Sequence, residues 1–567
     1  MMYSSWLFTT IGLVVLLLWL LTRIKANLFW VYLWQMKNYH IGRFLAHFST
    51  NSGKKLLFNA PIFAKIILLT GFIFLFCIAF FNLNFNLFGL NYEINVLILS
   101  IVFLMYLLEG LYALISLIRK KAKLPEFTSK VVFLLPIVFM PVIAVTIFLS
   151  IIFIERIDRD ITYNTLPVFI FCSLIILLID LLTPLIVSFI VLILQPITVI
   201  MRNRIIKKAI LKRKSLENLL TIGITGSYGK SSVKEFLKTI LSESFKVVST
   251  EKNKNSEMGI SEIILSAVNE NHEIFICEMG AYNRGGIKLL CEIAKPKIGI
   301  LTGIGNQHLA TFGSQKNIVQ AKFELINSLP EEGLAVLNWD SELIRNNFKS
   351  DKNFIKYGLK EKEDIWAEEI KIEKFNLSFV ATFKTGGKIQ VKLDLIGEQN
   401  IPNLLAAIAI AKRLGMENEE ILSGLSKIKQ QGLEIIKNQD GVYIANSTYS
   451  ANTNGVKAHL DYLKLWDSQK IFIMPSLIEL GRDARKSHYE MGMEIGNICD
   501  YLIVTTGDYF KDLKRGIIKS KMKPENIFLI ENVESQFKKI KEITKAKDIV
   551  FLEGRVSNYL IRKLNLK

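Results

Sequence analysis

Leu220-Thr-Ile-Gly-Ile-Thr-Gly-Ser-Tyr-Gly-Lys-Ser-Ser-Val-Lys234 is an apolar run that turns through closely spaced glycines into Lys230-Ser231-Ser232. The run from Leu220 to Ile224 has the length and composition of a buried strand, and Val233 onward has those of a helix. A turn between them aims backbone N–H groups and a helix N-terminus at one point, where a polyphosphate fits. Gly226 and Gly229 let the backbone approach phosphate oxygens, with Ser227 and Ser232 in the same loop. Lys230 reaches the outer phosphates, and Ser231 is placed to ligand Mg²⁺. One irregularity stands out: a strict phosphate-loop pattern has glycine five residues before Gly229, where this chain has Ile224, with Gly223 six back.

Outward from this loop the chain falls into two unlike halves. The 567 residues suggest several domains, and the mean hydropathy of +0.33 is too high for a wholly water-exposed protein. The apolar excess lies in residues 1–200, where stretches at about 5–22, 57–81, 95–118, 131–154 and 166–195 are long enough to cross a bilayer. The first lacks a basic leader and a small-residue cleavage site, so it reads as a retained anchor. Much of the net charge of +19 lies in loops 23–56 and 119–130 and after the last span, whereas loop 82–94 has no Lys or Arg. By the positive-inside rule the N-terminus is outside, and everything after the fifth span is cytoplasmic, where ATP is. The charge therefore reads as topological, meeting anionic membrane lipids. No aromatic-basic platform suggests nucleic acid.

Within the membrane half, the run 28–34 (Leu-Phe-Trp-Val-Tyr-Leu-Trp) reads as an interfacial segment lying on the headgroups. Glu109 and Asp180 fall inside apolar spans. They either touch the headgroup of a lipid-linked substrate or pair with polar groups between helices. Pro136, Pro141 and Pro184 suggest kinks within helices, not ends. The five cysteines show no metal-type or disulfide-type spacing.

From Ser215 the pattern changes. Strand-length apolar runs at 220–224, 273–277, 297–302 and 334–338 alternate with helical segments at 232–244, 257–269 and 315–328, as in a doubly wound α/β domain. The polar stretch Thr250–Gly259 can present hydroxyls and amides to substrate or metal. Glu278 ends an apolar strand, either as a Mg²⁺ ligand or as a cap or ion-pair acid. His308 follows the next strand end, where ligands gather in such sheets. A further α/β unit begins near Gly432, with strands near 442–446, 470–474, 501–505, 527–530 and 548–552.

Taken together, the phosphate loop, Glu278-Met-Gly-Ala, Asn306-x-His308 and Ala321-Lys322-x-Glu324 resemble the Mur ligase family over residues 220–567. Ser231-Ser-Val-Lys-Glu235 and Glu278-Met-Gly-Ala281 are most similar to its MurF branch, which adds D-alanyl-D-alanine to UDP-N-acetylmuramoyl-tripeptide. The resemblance implies an ATP-binding central domain (215–431) and a Rossmann-like C-terminal domain (432–567) behind a helical transmembrane region (1–214). It implies that Lys230 and Ser231 hold ATP phosphates and Mg²⁺. A second Mg²⁺ falls to Glu278 and His308, and Lys322 is a carbamylated lysine serving as a further metal ligand. Asn338 and Asp340 face the ribose, and Asn400 faces adenine. Ser447-Thr-Tyr449-Ser-Ala-Asn452, Ile478-Glu479-Leu-Gly481 and His488 match stretches where the family contacts its amine substrate. Two positions depart: Ser447 stands where the family usually has an acid, and Leu433 where it usually has arginine.

Physical chemistry points the same way. A carboxylate resists amines because its leaving group is poor, and phosphoryl transfer from ATP converts it to an acyl phosphate whose phosphate leaves readily. The expectation is thus a membrane-anchored ATP-dependent amide ligase of cell-envelope synthesis. In place of the soluble sugar-gripping domain of MurF enzymes it carries spans, so its carboxylate acceptor is expected to be lipid-linked or UDP-linked muramoyl peptide, and its amine an amino acid or dipeptide. The alternatives are a poly-amino-acid capsule synthetase, or a transporter or scaffold with an ATP-sensing domain.

Overall fold

The computed structural model describes residues 2–37, 39, 41–48, 51–80, 91–119, 122–155, 165–251, 254–305, 309–349, 352–360, 362–430, 432–448, 452–477, 480 and 483–565. The chain divides into two compact units, Met1–Met201 and Arg202–Lys567.

The first unit is helical. Among the described residues, five helices are long and apolar enough to cross a membrane, and the protein is a multi-pass membrane-associated one. They lie within Met2–Met36, a segment from Gly53 through Ala60–Phe80, Asn91–Ile118, Ser129–Glu155 and Thr165–Ile193. Pro136, Pro141 and Pro184 all sit inside helices. The first helix does not end near residue 22 but continues to Met36. The aromatic run is therefore its second half, and not a separate segment on the headgroups. Trp34 is 1% exposed and stacks on Phe44 at 4.0 Å, because these rings pack onto Leu134, Val138 and Val187 of the same core.

Asp180 sits deep in this unit, and all its partners come from other helices. Its Oδ1 accepts from Trp19 Nε1 at 2.7 Å and pairs with Arg23 Nε at 2.9 Å. Its Oδ2 pairs with Lys65 Nζ at 2.5 Å and accepts from the Tyr106 hydroxyl at 3.1 Å. Glu109 Oε2 lies 2.7 Å from the same Lys65 Nζ. Of the two readings open from sequence, pairing between helices is the one these contacts realise.

The second unit holds two sheets. The first has nine strands in the order β2-β3-β1-β4-β5-β6-β7-β8-β9. These are β1 (Leu220–Thr225), β2 (Val247–Ser249), β3 (Ile274–Glu278), β4 (Ile298–Leu301), β5 (Leu334–Asn338), β6 (Asn353–Gly358), β7 (Ile365–Ile372), β8 (Leu377–Phe383) and β9 (Lys388–Leu393). The strands through β6 run parallel, and β7–β9 extend the sheet as an antiparallel meander. Every residue of β3 and β5 is buried, as expected of strands covered on both faces.

The second sheet orders β10-β11-β15-β12-β13-β14, with β10 (Glu434–Lys437), β11 (Tyr443–Ser447), β12 (Lys470–Met474), β13 (Tyr501–Val504), β14 (Ile527–Leu529) and β15 (Ile549–Glu553). It is parallel apart from β10. The helices after β11 and β12 share one core with Phe551, whereas Leu560 and Leu564 of the helix after β15 lie in the core on the other face. The chain thus leaves β15 toward the opposite side from both its neighbours.

The boundary between units falls at Met201, inside the basic helix Gln195–Ser215. Its second half packs Ile206 and Ala209 into the core of the nine-stranded sheet. Arg213 ties it down through the carbonyls of Leu216, Leu219 and Ala294.

Replacing Asp180 with Ala strands the buried Arg23 and leaves the buried Lys65 to Glu109 alone, and should destabilise the first unit by about 3–5 kcal/mol. Thermal unfolding of the detergent-solubilised variant measures this, and an unchanged Tm would contradict the pairing.

Candidate active site

The phosphate loop begins where β1 ends. Gly229, at φ +79°, caps the helix Lys230–Leu241, and a β-carbon there would stand 2.6 Å from Asn403 Oδ1. At Gly226 a β-carbon would strike Thr302 Oγ1 at 2.1 Å. These two positions are glycine because of backbone conformation and crowding respectively. The loop is pinned to the end of β4: Ser227 N donates to Gly303 O at 2.7 Å, and Thr302 Oγ1 donates to Tyr228 O at 2.5 Å.

β3 lies beside β1 with Ile224 in register with Glu278, which brings that carboxylate to the mouth of the loop. Glu278 is 2% exposed. Its Oε2 accepts from the exposed Ser231 Oγ at 2.9 Å, its Oε1 accepts from Asn255 Nδ2 at 2.9 Å, and its backbone N–H donates to Thr250 Oγ1. Lys234 Nζ, also buried, stands 3.8 Å from Oε2. Asn255 and Lys234 were not singled out from sequence. The available signal was helical spacing, since Lys234 lies four residues after Lys230 on the same helix face.

Lys322 comes from the helix Gln315–Asn327 and is buried. Burial, with the Lys230 charge second, pulls its pKa down to about 7, against the opposing pull of Glu324 and Glu278. Burial also lowers the pKa of Lys230, whose Nζ donates to Gly226 O at 3.0 Å, while Glu278 opposes that shift. Lys230, Ser231, Glu278 and Lys322 therefore act on one another at one sheet end. Glu324 has another partner set: its carboxylate accepts from the N–H groups of Gly285 and Lys288 at the start of the helix Gly286–Ala294.

The remaining sequence candidates divide. Asn338 donates to Thr302 O at 2.7 Å and accepts from Asp340 N. The Asp340 carboxylate accepts from Leu359 N and Lys360 N. Both thus hold the loops around the β5 end. Asn400 donates to Ile396 O at 2.9 Å. His488, wholly buried, has Nε2 accepting from Leu477 N and Nδ1 beside Ala484 O, so both ring nitrogens are engaged inside the fold. Asn306, His308, Tyr449, Ile478, Glu479 and Gly481 lie outside the described residues. Leu433 lines a cavity of about 570 Å³ with Phe375, Ile396, Asn446 and Thr448.

Serine hydroxyl, carboxylate and backbone oxygens are the hard donors that Mg²⁺ selects. Among the described residues there is no group of three or more His, Cys, Asp or Glu side chains.

Two family models match, the Mur ligase middle domain over residues 224–411 and the Mur ligase glutamate ligase domain over residues 433–556. A protein of Buchnera aphidicola subsp. Baizongia pistaciae, named UDP-N-acetylmuramoyl-tripeptide–D-alanyl-D-alanine ligase, is 31% identical over 332 residues, 58% of this chain and 72% of that protein. The chain belongs to the Mur ligase family. It thereby joins a family of ATP-dependent ligases with the α/β middle and C-terminal domains described above. The like-named Bacillus subtilis protein is 31% identical over 278 residues, and there the chain spans 60% of the relative's length. Among solved structures, MurF from Acinetobacter baumannii shares the fold with a TM-score of 0.59 at 23% identity, over 65% of this chain and 81% of that one. MurF of Thermotoga maritima, in complex with ADP, gives 0.56 at 24% identity, over 64% and 82%.

A lysine at pKa about 7 in the folded Mur ligase domain and 10.5 when exposed binds its proton more weakly in the folded state. It costs stability in full below pH 7, and the cost fades as pH rises from 7 to 10.5. Lys322→Met should therefore raise Tm at pH 6–7, with the gain shrinking by pH 10. A gain that does not depend on pH would contradict the depressed pKa.

Proposed function

We propose that this Mur ligase is a membrane-anchored, ATP-dependent amide ligase of cell-envelope synthesis, working through an acyl phosphate. The observation that carries the proposal is the meeting of Lys230, Ser231, Glu278 and Lys322 at the carboxyl end of a parallel sheet. In this reading the loop amides and Lys230 bind the polyphosphate of ATP and draw charge toward the γ-phosphoryl group as it transfers to the acceptor carboxylate. Ser231 would hold one Mg²⁺ beside the ATP phosphates, and Glu278, His308 and carbamylated Lys322 would hold a second. The ions' part is to screen the approach of two anions. The neutral Lys322 amine that burial favours is the form that takes up CO₂, and carbamylation turns a repelled cation into an anionic ligand beside Lys230. Asn338, Asp340 and Asn400 line the nucleoside side, the first two by shaping loops. The amine, having given up a proton, then attacks the acyl phosphate, and the amide forms as phosphate leaves and the remaining excess N–H proton is lost.

The substrate assignment follows the relatives' names: a muramoyl-peptide carboxylate and an amine of the amino-acid or dipeptide class, D-alanyl-D-alanine foremost. Because membrane-spanning helices precede the ligase domains, the acceptor in this reading is lipid-linked, and spans and substrate share one plane. In this reading the ligase domains face the cytoplasm with the N-terminus outside, and the basic loops support that orientation. A poly-amino-acid synthetase would instead polymerise glutamate without a muramoyl acceptor.

In detergent-solubilised protein with MgATP, envelope lipid extract and an amine panel, Lys230→Ala should reduce amine-dependent phosphate release by at least about 10²-fold. Retained turnover would refute the assignment. With ¹³C-bicarbonate, NMR should show a carbamate resonance that disappears in Lys322→Ala. Its absence from the wild-type protein would remove the metal role of Lys322.

A further inference from the structure

A second buried acid stands at a sheet end, in the C-terminal domain. Glu553 closes β15 and is 0% exposed. Its Oε2 lies 2.6 Å from His459 Nδ1, while its Oε1 is buried and has no hydrogen-bond partner among the described residues. Strand alternation gives it Phe551 on its own face, and register sets Ser447 of β11 beside it. A carboxylate oxygen in such surroundings without a donor is costly to hold, and a ligand that brings a donor relieves the cost.

The location fits a ligand. Glu553 ends the strand whose chain departs to the opposite face from both neighbours, and ligands of open α/β sheets gather in the crevice at such a point. His459 sits on the helix Thr453–Leu463 with its ring on Phe551, centroids 4.9 Å apart, and its side chain is 12% exposed. The first turn of that helix reaches the nucleotide side of the middle domain, where a β-carbon on Gly305 would stand 2.8 Å from Asn454 Nδ2. A group held at Glu553 thus lies beside His459, on a helix whose first turn touches the loop after β4, next to the phosphate loop.

We infer that Glu553, backed by His459, receives the ammonium group of the amine substrate, with Oε1 as the open acceptor and the Ser447 strand end as its flank. The inference rests on the ligase reading, since only an amide-forming enzyme needs a primary amine here. An ammonium supplies both the missing donor and the opposite charge, and a charge-assisted bond of this kind is stronger than a neutral one. A neutral nucleophile makes no such demand.

That difference supplies the test. Full-length protein in detergent, with MgATP and envelope lipid extract, is offered hydroxylamine, which is uncharged near neutral pH, or a panel of free amino acids and alanyl-alanine dipeptides. Glu553→Gln should form hydroxamate at the wild-type rate while its KM for the amine rises at least about tenfold, with little change in kcat. An amine KM within twofold of wild type overturns the proposal. If wild type yields no ATP-dependent hydroxamate, the ligase reading itself fails. If Glu553→Gln loses hydroxamate formation as well, the wild-type protein decides. Methylammonium and the free dipeptide should then compete for the site and the N-acetylated dipeptide should not. Equal inhibition by the N-acetylated form overturns the assignment.

Discussion

The middle domain is organised by an imbalance of charge around one acid. Glu278 is the carboxylate at the mouth of the phosphate loop, with Lys230, Lys234 and Lys322 near it, two of the three buried, while Glu235 pairs with Lys234 at 3.2 Å and Glu324 acts on Lys322. Burial disfavours a charged lysine and the neighbouring Lys230 charge adds to that, so the pKa of Lys322 is depressed. The arrangement is relieved by adding negative charge, either a polyphosphate in the cradle of backbone amides or CO₂ on the lysine itself. A site that is under-neutralised when empty is one prepared for an anion. The glycines at 226 and 229 let the loop keep its shape, since a β-carbon would strike Thr302 at the first and Asn403 at the second.

The membrane unit shows the opposite balance. Arg23 and Lys65 meet Asp180 and Glu109, two against two, and both oxygens of Asp180 are taken by donors from other helices. Charges in the interior of a membrane protein are tolerated when they are paired. Here the pairing links the first, second, third and fifth spanning helices through one carboxylate. A closed, neutral network fixes helix register, whereas the open, cationic one in the middle domain recruits a ligand. The two polar sites are therefore different in kind although both are buried.

Much of this was legible in the sequence because local signals and global fold agree. The strands expected at 220–224, 273–277, 334–338, 442–446 and 470–474 form within a residue or two, since runs buried on both faces carry a continuous apolar signature. The meander β7–β9 left a weaker trace. Its strands alternate exposed and buried positions, and Glu368 and Lys388 pair across it on the solvent side. The first helix was cut short at residue 22 because Arg23 and Lys25 look like a span's end, and sequence alone does not reveal that Asp180 neutralises Arg23. At the candidate site, Glu278 and Lys322 announced themselves by motif. Asn255 did not, because an amide in a polar loop acquires meaning only when the fold sets it against a carboxylate.

The departures at Leu433 and Ser447 take on a physical sense in the same terms. Leu433 is 4% exposed and packs into the core with Ala445 and Phe551, so the position is occupied by apolar contact and cannot offer a charge to phosphate. Ser447 removes a carboxylate from the end of β11, yet its register partner on the adjacent strand is Glu553. One negative charge thus remains at this sheet end, moved over by one strand and placed beside an imidazole. Neighbouring parallel strands lie about 4.8 Å apart, a distance comparable to the length of the groups such a charge would hold. The shift thus moves the charge by one strand while the register of the sheet is kept.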